Sequence, residues 1–244
     1  MSSAIHDRIA PQIDRTLIRS FDLFKTMSGT DLENMVSAAQ IVRTRRNLPV
    51  FRQGDTARRF FFLLDGRLKV VQVTPGGQQI VVRFVHPGDV FGVAAALQRS
   101  DYPGTAIAAV DSTAFAWRSA LWDDMTQHYP ALAMTALHTV GRHVQEAHAR
   151  IRELSTEDVE RRVAHAVVRL AGQAGRRMEN GILIDFPINL QDIAGMTGTT
   201  HFTVSRLLSA WETAGLVSHS RQRLFLLNLD ELQALADGQR LPVS

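Results

Sequence analysis

The chain has 244 residues, 45% hydrophobic and 21% charged, with 27 Lys and Arg against 24 Asp and Glu for a net charge of +3. This is the balance of a soluble globular protein long enough for two domains. The absence of cysteine excludes disulfides, thiolate zinc sites, cysteine-ligated iron-sulfur clusters and thiol redox switches. No run approaches the roughly 18 apolar residues of a membrane span, and the polar start, residues 1–8, lacks the apolar stretch of a secretion signal. A cytoplasmic protein is expected.

Residues 21–40 carry Phe21, Leu23, Phe24, Leu32 and Met35 with Ser28 to Asp31 between them, a pattern of short helices leading into a first domain. From Ile41 to Trp117 the pattern changes to short β-type runs: Val50-Phe51, Phe60 to Leu64, Lys69 to Val73 and Ile80 to Phe84. Asp65-Gly66, Pro75-Gly76-Gly77 and Pro87-Gly88-Asp89 break them. Short strands at this spacing predict a barrel or sandwich that encloses a pocket. A cupin-like metal enzyme would need clustered histidines in such a barrel, and His86 is the only histidine between Ile41 and Trp117.

After Pro130, Ala133, Leu137, Val140, Val144, Ala147, Ile151 and Leu154 recur in steps of three and four, a heptad seam. Arg142, Glu146, Arg150, Arg152 and Glu153 occupy the other faces and leave the apolar stripe narrow, as in a helix that pairs with a copy of itself. Packing on its own domain is the alternative. Ser155 and Asp158 have the spacing of a capping box that starts another helix ending near Gly172. The expected organisation is α+β, with a sensor domain over 1–129, a dimerisation helix over 130–154 and a third unit over 155–244.

Residues 189–215 read as a helix, a glycine turn and a second helix, the layout of a DNA-reading helix-turn-helix. Asn189 can cap the first helix, Gly198 permits the positive φ of the turn, and Thr199 or Thr200 can cap the second. Val204, Leu207, Leu208 and Trp211 recur at helical spacing and are expected to face the core. That leaves Thr200, His201, Thr203, Ser205 and Arg206 on the exposed N-terminal turns. Helix pairs joined by glycine also occur in proteins that never touch nucleic acid, so the next segment decides. Leu216 to Ser218 and Leu224 to Leu227 form a hairpin pattern around a Ser220-Arg221-Gln222-Arg223 tip, which makes the unit a winged helix. The tip suits phosphate contact, with a plain solvated loop as the alternative. From Ser155 onward there are nine Arg, no Lys and ten Asp plus Glu. Affinity for DNA must therefore come from local placement of arginines and from two copies in a dimer.

A β-roll, a dimerisation helix and a winged helix in this order resemble the family of the cyclic-AMP receptor protein and the fumarate-nitrate reduction regulator. Four segments carry the resemblance: Phe51-Arg52-Gln53-Gly54-Asp55, the run from Phe61 to Val70, His86-Pro87-Gly88-Asp89-Val90-Phe91-Gly92, and the run from Thr203 to Leu208. It spans about residues 20 to 235. It implies a homodimeric transcription regulator with a cyclic-nucleotide-binding-like roll and with double-stranded DNA and RNA polymerase as partners; whether it is an activator or a repressor depends on operator position and polymerase contacts, which one chain does not encode. In cyclic-AMP-binding members of the family a glutamate and an Arg-Ser or Arg-Thr pair hold the nucleotide. Here the effector region would be Phe91, Val93, Gly104 and Thr105, with Val93 in the place of the glutamate and Gly104 in that of the arginine. A buried phosphate would have no partner, so cyclic AMP is not the expected effector.

The run Gly195 to Thr200 followed by Thr203 to Arg206 looks like the nitric-oxide-responsive denitrification regulators of the family, which raises haem as a cofactor. Without cysteine its axial ligand would come from histidines such as His6, His86, His128, His138, His143 and His148, none spaced as a metal pair. His86 and His143 are also candidates for titration near neutral pH. Control by another small ligand, or by abundance alone, stays open. So does a ligand-binding roll whose helix-turn-helix serves only assembly. By resemblance, Arg206 would read guanine, while Phe202 stands where much of the family has a glutamate that accepts from cytosine. Phe202 can instead touch a thymine methyl or pack inward. The DNA-contacting set is then Thr199, Thr200, His201, Phe202, Thr203, Ser205, Arg206, Arg221 and Arg223, and the dimer seam Leu137, Val140, Val144, Ala147, Ile151 and Leu154.

Overall fold

The computed structural model describes residues 15–77, 79–184, 186–220 and 223–239. Three short helices open it, α1 Arg15–Ser20, α2 Asp22–Lys25 and α3 Gly29–Ser37. The Ser28 hydroxyl caps α3 by accepting from the Asp31 N–H at 3.0 Å. Eight strands follow: β1 Gln40–Thr44, β2 Pro49–Phe51, β3 Arg59–Asp65, β4 Leu68–Val73, β5 Gln79–Val85, β6 Val90–Phe91, β7 Thr105–Ala108 and β8 Ser112–Arg118. They form two antiparallel sheets, ordered β1-β8-β3-β6 and β2-β7-β4-β5.

The unbroken apolar run from Phe60 to Leu64 arises because β3 is covered on both faces. Successive strand residues point to opposite sides. Phe60, Phe62 and Leu64 therefore join Phe24, Met35, Phe115 and Trp117 under the N-terminal helices, while Phe61 and Leu63 fill the roll interior with Leu68, Val85, Phe91 and Ala106. The Trp117 indole donates to the Met35 carbonyl at 2.9 Å and fixes α3 on the sheet.

Helix α4, Trp122–His128, precedes the 27-residue α5, Pro130–Thr156, which has Pro130 in its first turn where a missing N–H costs nothing. The Ser155–Asp158 capping box is not formed. Ser155 remains in α5, its hydroxyl donating to the Ile151 carbonyl, and Asp158 alone caps α6, Val159–Ala174, by accepting from the Arg161 N–H at 2.9 Å. The charged residues of α5 are also not a uniformly solvated face. Glu153 is buried and paired with Arg169, Arg142 pairs with Asp89, and Arg150 donates to the Val81 and Val82 carbonyls at 3.2 and 2.6 Å. These groups fasten α5 to the roll and to α6.

The remaining elements are β9 Gly175–Met178, β10 Gly181–Ile184, α7 Leu190–Thr197, α8 His201–Thr213, β11 Val217–Ser220, β12 Arg223–Leu226 and α9 Leu229–Ala236. The sheet order β11-β12-β10-β9 adds a second hairpin to the wing, which the sequence pattern did not lead us to expect. Its signal was Asn180-Gly181 before the apolar Ile182 to Ile184, with Gly181 at φ 142°. One apolar core runs from α6, α7, α8, β11, β12 and α9 into Val71, Val81, Phe84 and Ala109 of the roll.

Candidate nucleic-acid interface

Local chemistry sets the entry to both helices of the helix-turn-helix. Asn189 caps α7 through its side chain, accepting from the Asp192 N–H at 2.7 Å, and Asp192 reciprocates toward the Asn189 N–H, a complete capping box. Gly198 ends the helix at φ 64°, and a β-carbon there would lie 3.0 Å from Leu154 Cδ2, so the turn and the end of α5 touch. Of the two threonines at the second helix, Thr200 is the cap. Its hydroxyl accepts from the Thr203 N–H at 3.2 Å, while Thr199 is half-buried with its N–H on the Ala194 carbonyl.

Val204, Leu208 and Trp211 are buried and Leu207 is partly so, which orients α8. The Trp211 indole donates to Glu160 Oε1 at 3.0 Å, tying α8 to α6. The opposite face presents His201, Phe202 and Arg206 to solvent, with Thr203 and Ser205 half-buried beside them. Phe202 is 75% exposed and its ring centroid lies 3.9 Å from that of His201, so it points outward rather than into the core. Among the described residues the Arg206 guanidinium has no hydrogen bond or ion pair. On the wing, Ser220 pairs in register with the exposed Arg223. Arg221 at the tip lies outside the described residues. Glu212 accepts from the His219 N–H at 3.0 Å and joins α8 to the wing.

Along α5, Leu137, Val144, Ile151 and Leu154 are 61%, 48%, 61% and 52% exposed. Ala147 is also exposed and Val140 half-buried. Met134, next to Ala133 at the start of the seam, is 48% exposed and was not part of the heptad reading.

The expected effector region is brought together only in part. Phe91 is fully buried in a stack with Phe61 and Phe51, at centroid distances of 5.0 and 6.2 Å, and Phe51 in turn lies 3.9 Å from Tyr102. Gly104 is buried against β4, where a β-carbon would sit 3.0 Å from the Val71 carbonyl oxygen, a tight contact for any side chain. The Thr105 hydroxyl already accepts from the Gln53 N–H at 3.0 Å, and Val93 packs partly against the N-terminal helices instead.

The two candidate titrating histidines do not behave as the sequence suggested. Burial, followed by the Arg67 charge, lowers His86 to about 4; burial, followed by Arg83, lowers His143 to about 3. Both are neutral at physiological pH.

A cyclic nucleotide-binding domain profile matches residues 41–129, and a Crp-like helix-turn-helix profile matches 161–235. The chain is 26% identical over 195 residues to the cyclic AMP receptor protein of Thermus thermophilus, covering 80% of this chain and 87% of that one. It is 28% identical over 191 residues to the global nitrogen regulator of Synechococcus elongatus, covering 78% and 86%. Among solved structures, a CRP-family transcriptional regulator from Thermus thermophilus superposes with a TM-score of 0.68 at 27% identity, covering 80% of this chain and 96% of that one. The roll, the long helix and the helix-turn-helix in this order, matched by both profiles, make the chain a member of the Crp/Fnr family of DNA-binding transcription regulators.

Proposed function

We propose that the chain works as a homodimer on a palindromic duplex, inserting the N-terminal turns of α8 from each copy into successive major grooves. One observation carries this reading: Arg206 stands exposed, without a partner among the described residues, on the same face as His201, Phe202, Thr203 and Ser205. A guanidinium left free on a rigid helix suits bidentate contact with guanine N7 and O6, and an outward Phe202 suits a thymine methyl. Thr199, Thr200, Arg221 and Arg223 are proposed as contacts to the DNA backbone. The exposed stripe from Leu137 to Leu154 supports pairing of α5 with its copy, since an apolar seam of that length is otherwise left in water. The proposed units are the roll over 1–129, the dimer helix from 130 to 154 and the DNA-reading unit over 155–244. RNA polymerase is the proposed protein partner, and the cytoplasm the proposed compartment.

The proposed effector is not cyclic AMP, since Val93 and Gly104 offer neither acid nor base and the roll interior is packed with Phe51, Phe61, Phe91 and Tyr102. Two of the candidate haem ligands are already engaged. His86 Nδ1 and His143 Nε2 each accept from a guanidinium, of Arg67 and Arg83, and the aromatic stack fills the space beside β6. The nitric-oxide reading therefore rests on the resemblance around Gly195 to Arg206 alone.

Selection from a random duplex pool, with sedimentation of the complex, tests the proposal. A palindrome with half-sites about one helical turn apart, bound by two chains, is the expected result. Binding without sequence preference, or by one chain, refutes it.

A further inference from the structure

We propose that Phe202 makes the protein a reader of the C5-methyl group of a pyrimidine, so that 5-methylcytosine serves in place of thymine while unmethylated cytosine is refused. Phe202 can do so only if α8 is the helix that enters the major groove, as proposed above. Its side chain is 75% exposed, the most exposed large apolar side chain among the described residues. Its ring centroid lies 3.9 Å from that of His201, so the two rings form one surface at the start of the helix. Residues four apart on a helix lie one above the other, with β-carbons about 5 to 6 Å apart. Phe202 and Arg206 have that spacing, and both are exposed. Base pairs follow one another at about 3.4 Å, so a pyrimidine within about two base pairs of the guanine facing Arg206 comes under the Phe202 ring.

What this end of the helix offers a base is decided by what it lacks. In the major groove cytosine presents an N4 amino donor, and thymine an O4 acceptor with the C5-methyl beside it. A phenyl ring gives the amino group no acceptor in exchange for the water it loses on contact. No residue from His201 to Trp211 is acidic. The first carboxylate of α8 is Glu212, about 15 Å along the axis from Phe202. It accepts from the His219 N–H at 3.0 Å. The Thr200 and Thr203 hydroxyls lie 3.0 Å from each other, and Thr200 also takes the Thr203 N–H. Burial of a methyl against the ring is the contact that remains, and C5 carries that methyl in thymine and in 5-methylcytosine alike. Methylation of a half-site cytosine therefore strengthens binding instead of blocking it.

The test is a fluorescence-anisotropy titration of the full chain with variants of the palindrome it selects. Each pyrimidine within about two base pairs of the guanine whose preference is lost in Arg206→Ala is made thymine, deoxyuridine, cytosine or 5-methylcytosine, opposite its matching base. At one such position, loss of the methyl is expected to weaken binding by about fourfold per half-site, both from thymine to deoxyuridine and from 5-methylcytosine to cytosine. Phe202→Ala should abolish both differences and keep the guanine preference, and Phe202→Glu should favour cytosine over thymine. Melting checks that each variant is folded, and where one is not, the unsubstituted chain decides by the two methyl comparisons alone. Selective binding with equal affinity within either pair at every position, or a methyl difference that persists in folded Phe202→Ala, overturns the role of Phe202 and leaves the DNA-reading proposal standing. Binding without sequence preference overturns both.

Discussion

Arg206 and Phe202 are both held outward by what their helix neighbours bury. Val204, Leu208 and Trp211 fix the rotation of α8, which turns His201, Phe202 and Arg206 to solvent. Arg206→Ala is expected to cost about 1 to 3 kcal/mol per half-site and to relax preference at a single base pair, read by titrating a panel of half-site variants. Unchanged selectivity would remove Arg206 from the reading set. At the same scale, His86 and His143 have folded-state pKa values of about 4 and 3, below the ordinary 6.5. The unfolded chain therefore binds more protons between those values and 6.5, and stability rises with pH across that window. Stability is fully present above pH 6.5 and falls as pH drops toward 3. His143→Gln should flatten part of this slope in denaturant melts at pH 7, 6, 5 and 4, without changing the trend above pH 7.

The helix-turn-helix was readable because local rules act there alone. Asn189 and Thr200 cap, Gly198 turns and the apolar period of α8 repeats, so the helix-turn-helix was visible in the sequence. The Asp158 cap was misassigned to a Ser155 box because α5 runs on to Thr156, held by its tertiary contacts rather than by a local stop. How the elements dock is another matter. Lys69 on β4 reaches Asp192 on α7 at 2.6 Å, and both side chains are shielded, at 19% and 8% exposure. Phe84 and Phe186 meet at 4.8 Å beside them. Asp192 keeps its capping role without the lysine, so Lys69→Met should cost only about 2 kcal/mol, short of the full loss expected for an orphaned buried charge. The checks are a lower melting temperature and faster proteolysis between β10 and α7, and a variant as stable and as resistant as the parent would show that the pair does not hold the two units together.

At the scale of the whole molecule, the exposed seam on α5 is the feature that an isolated chain leaves uncovered. Leu137 and Ile151, each 61% exposed, lie two heptads apart on one stripe, so a charge at both would face its own copy in a parallel pair. Leu137→Glu combined with Ile151→Glu should sediment as a monomer and lose palindrome binding by far more than either half-site contributes, while its circular dichroism stays that of the folded chain. A dimer that persists would move the interface to another surface. The strand and helix periods, the caps and the glycine turn determined the order roll, long helix, helix-turn-helix and the family resemblance from the sequence alone, because each depends on residues within a few positions of one another. Only the tertiary structure decided that Asp89 would be claimed by Arg142 from 53 residues away and Asp192 by Lys69 from 123, that phenylalanines would fill the roll, and that Arg83 would meet the His143 imidazole of α5. Those outcomes turn on which surfaces meet when the sheets close and α7 settles on β5, and a linear pattern does not encode a distance between remote side chains.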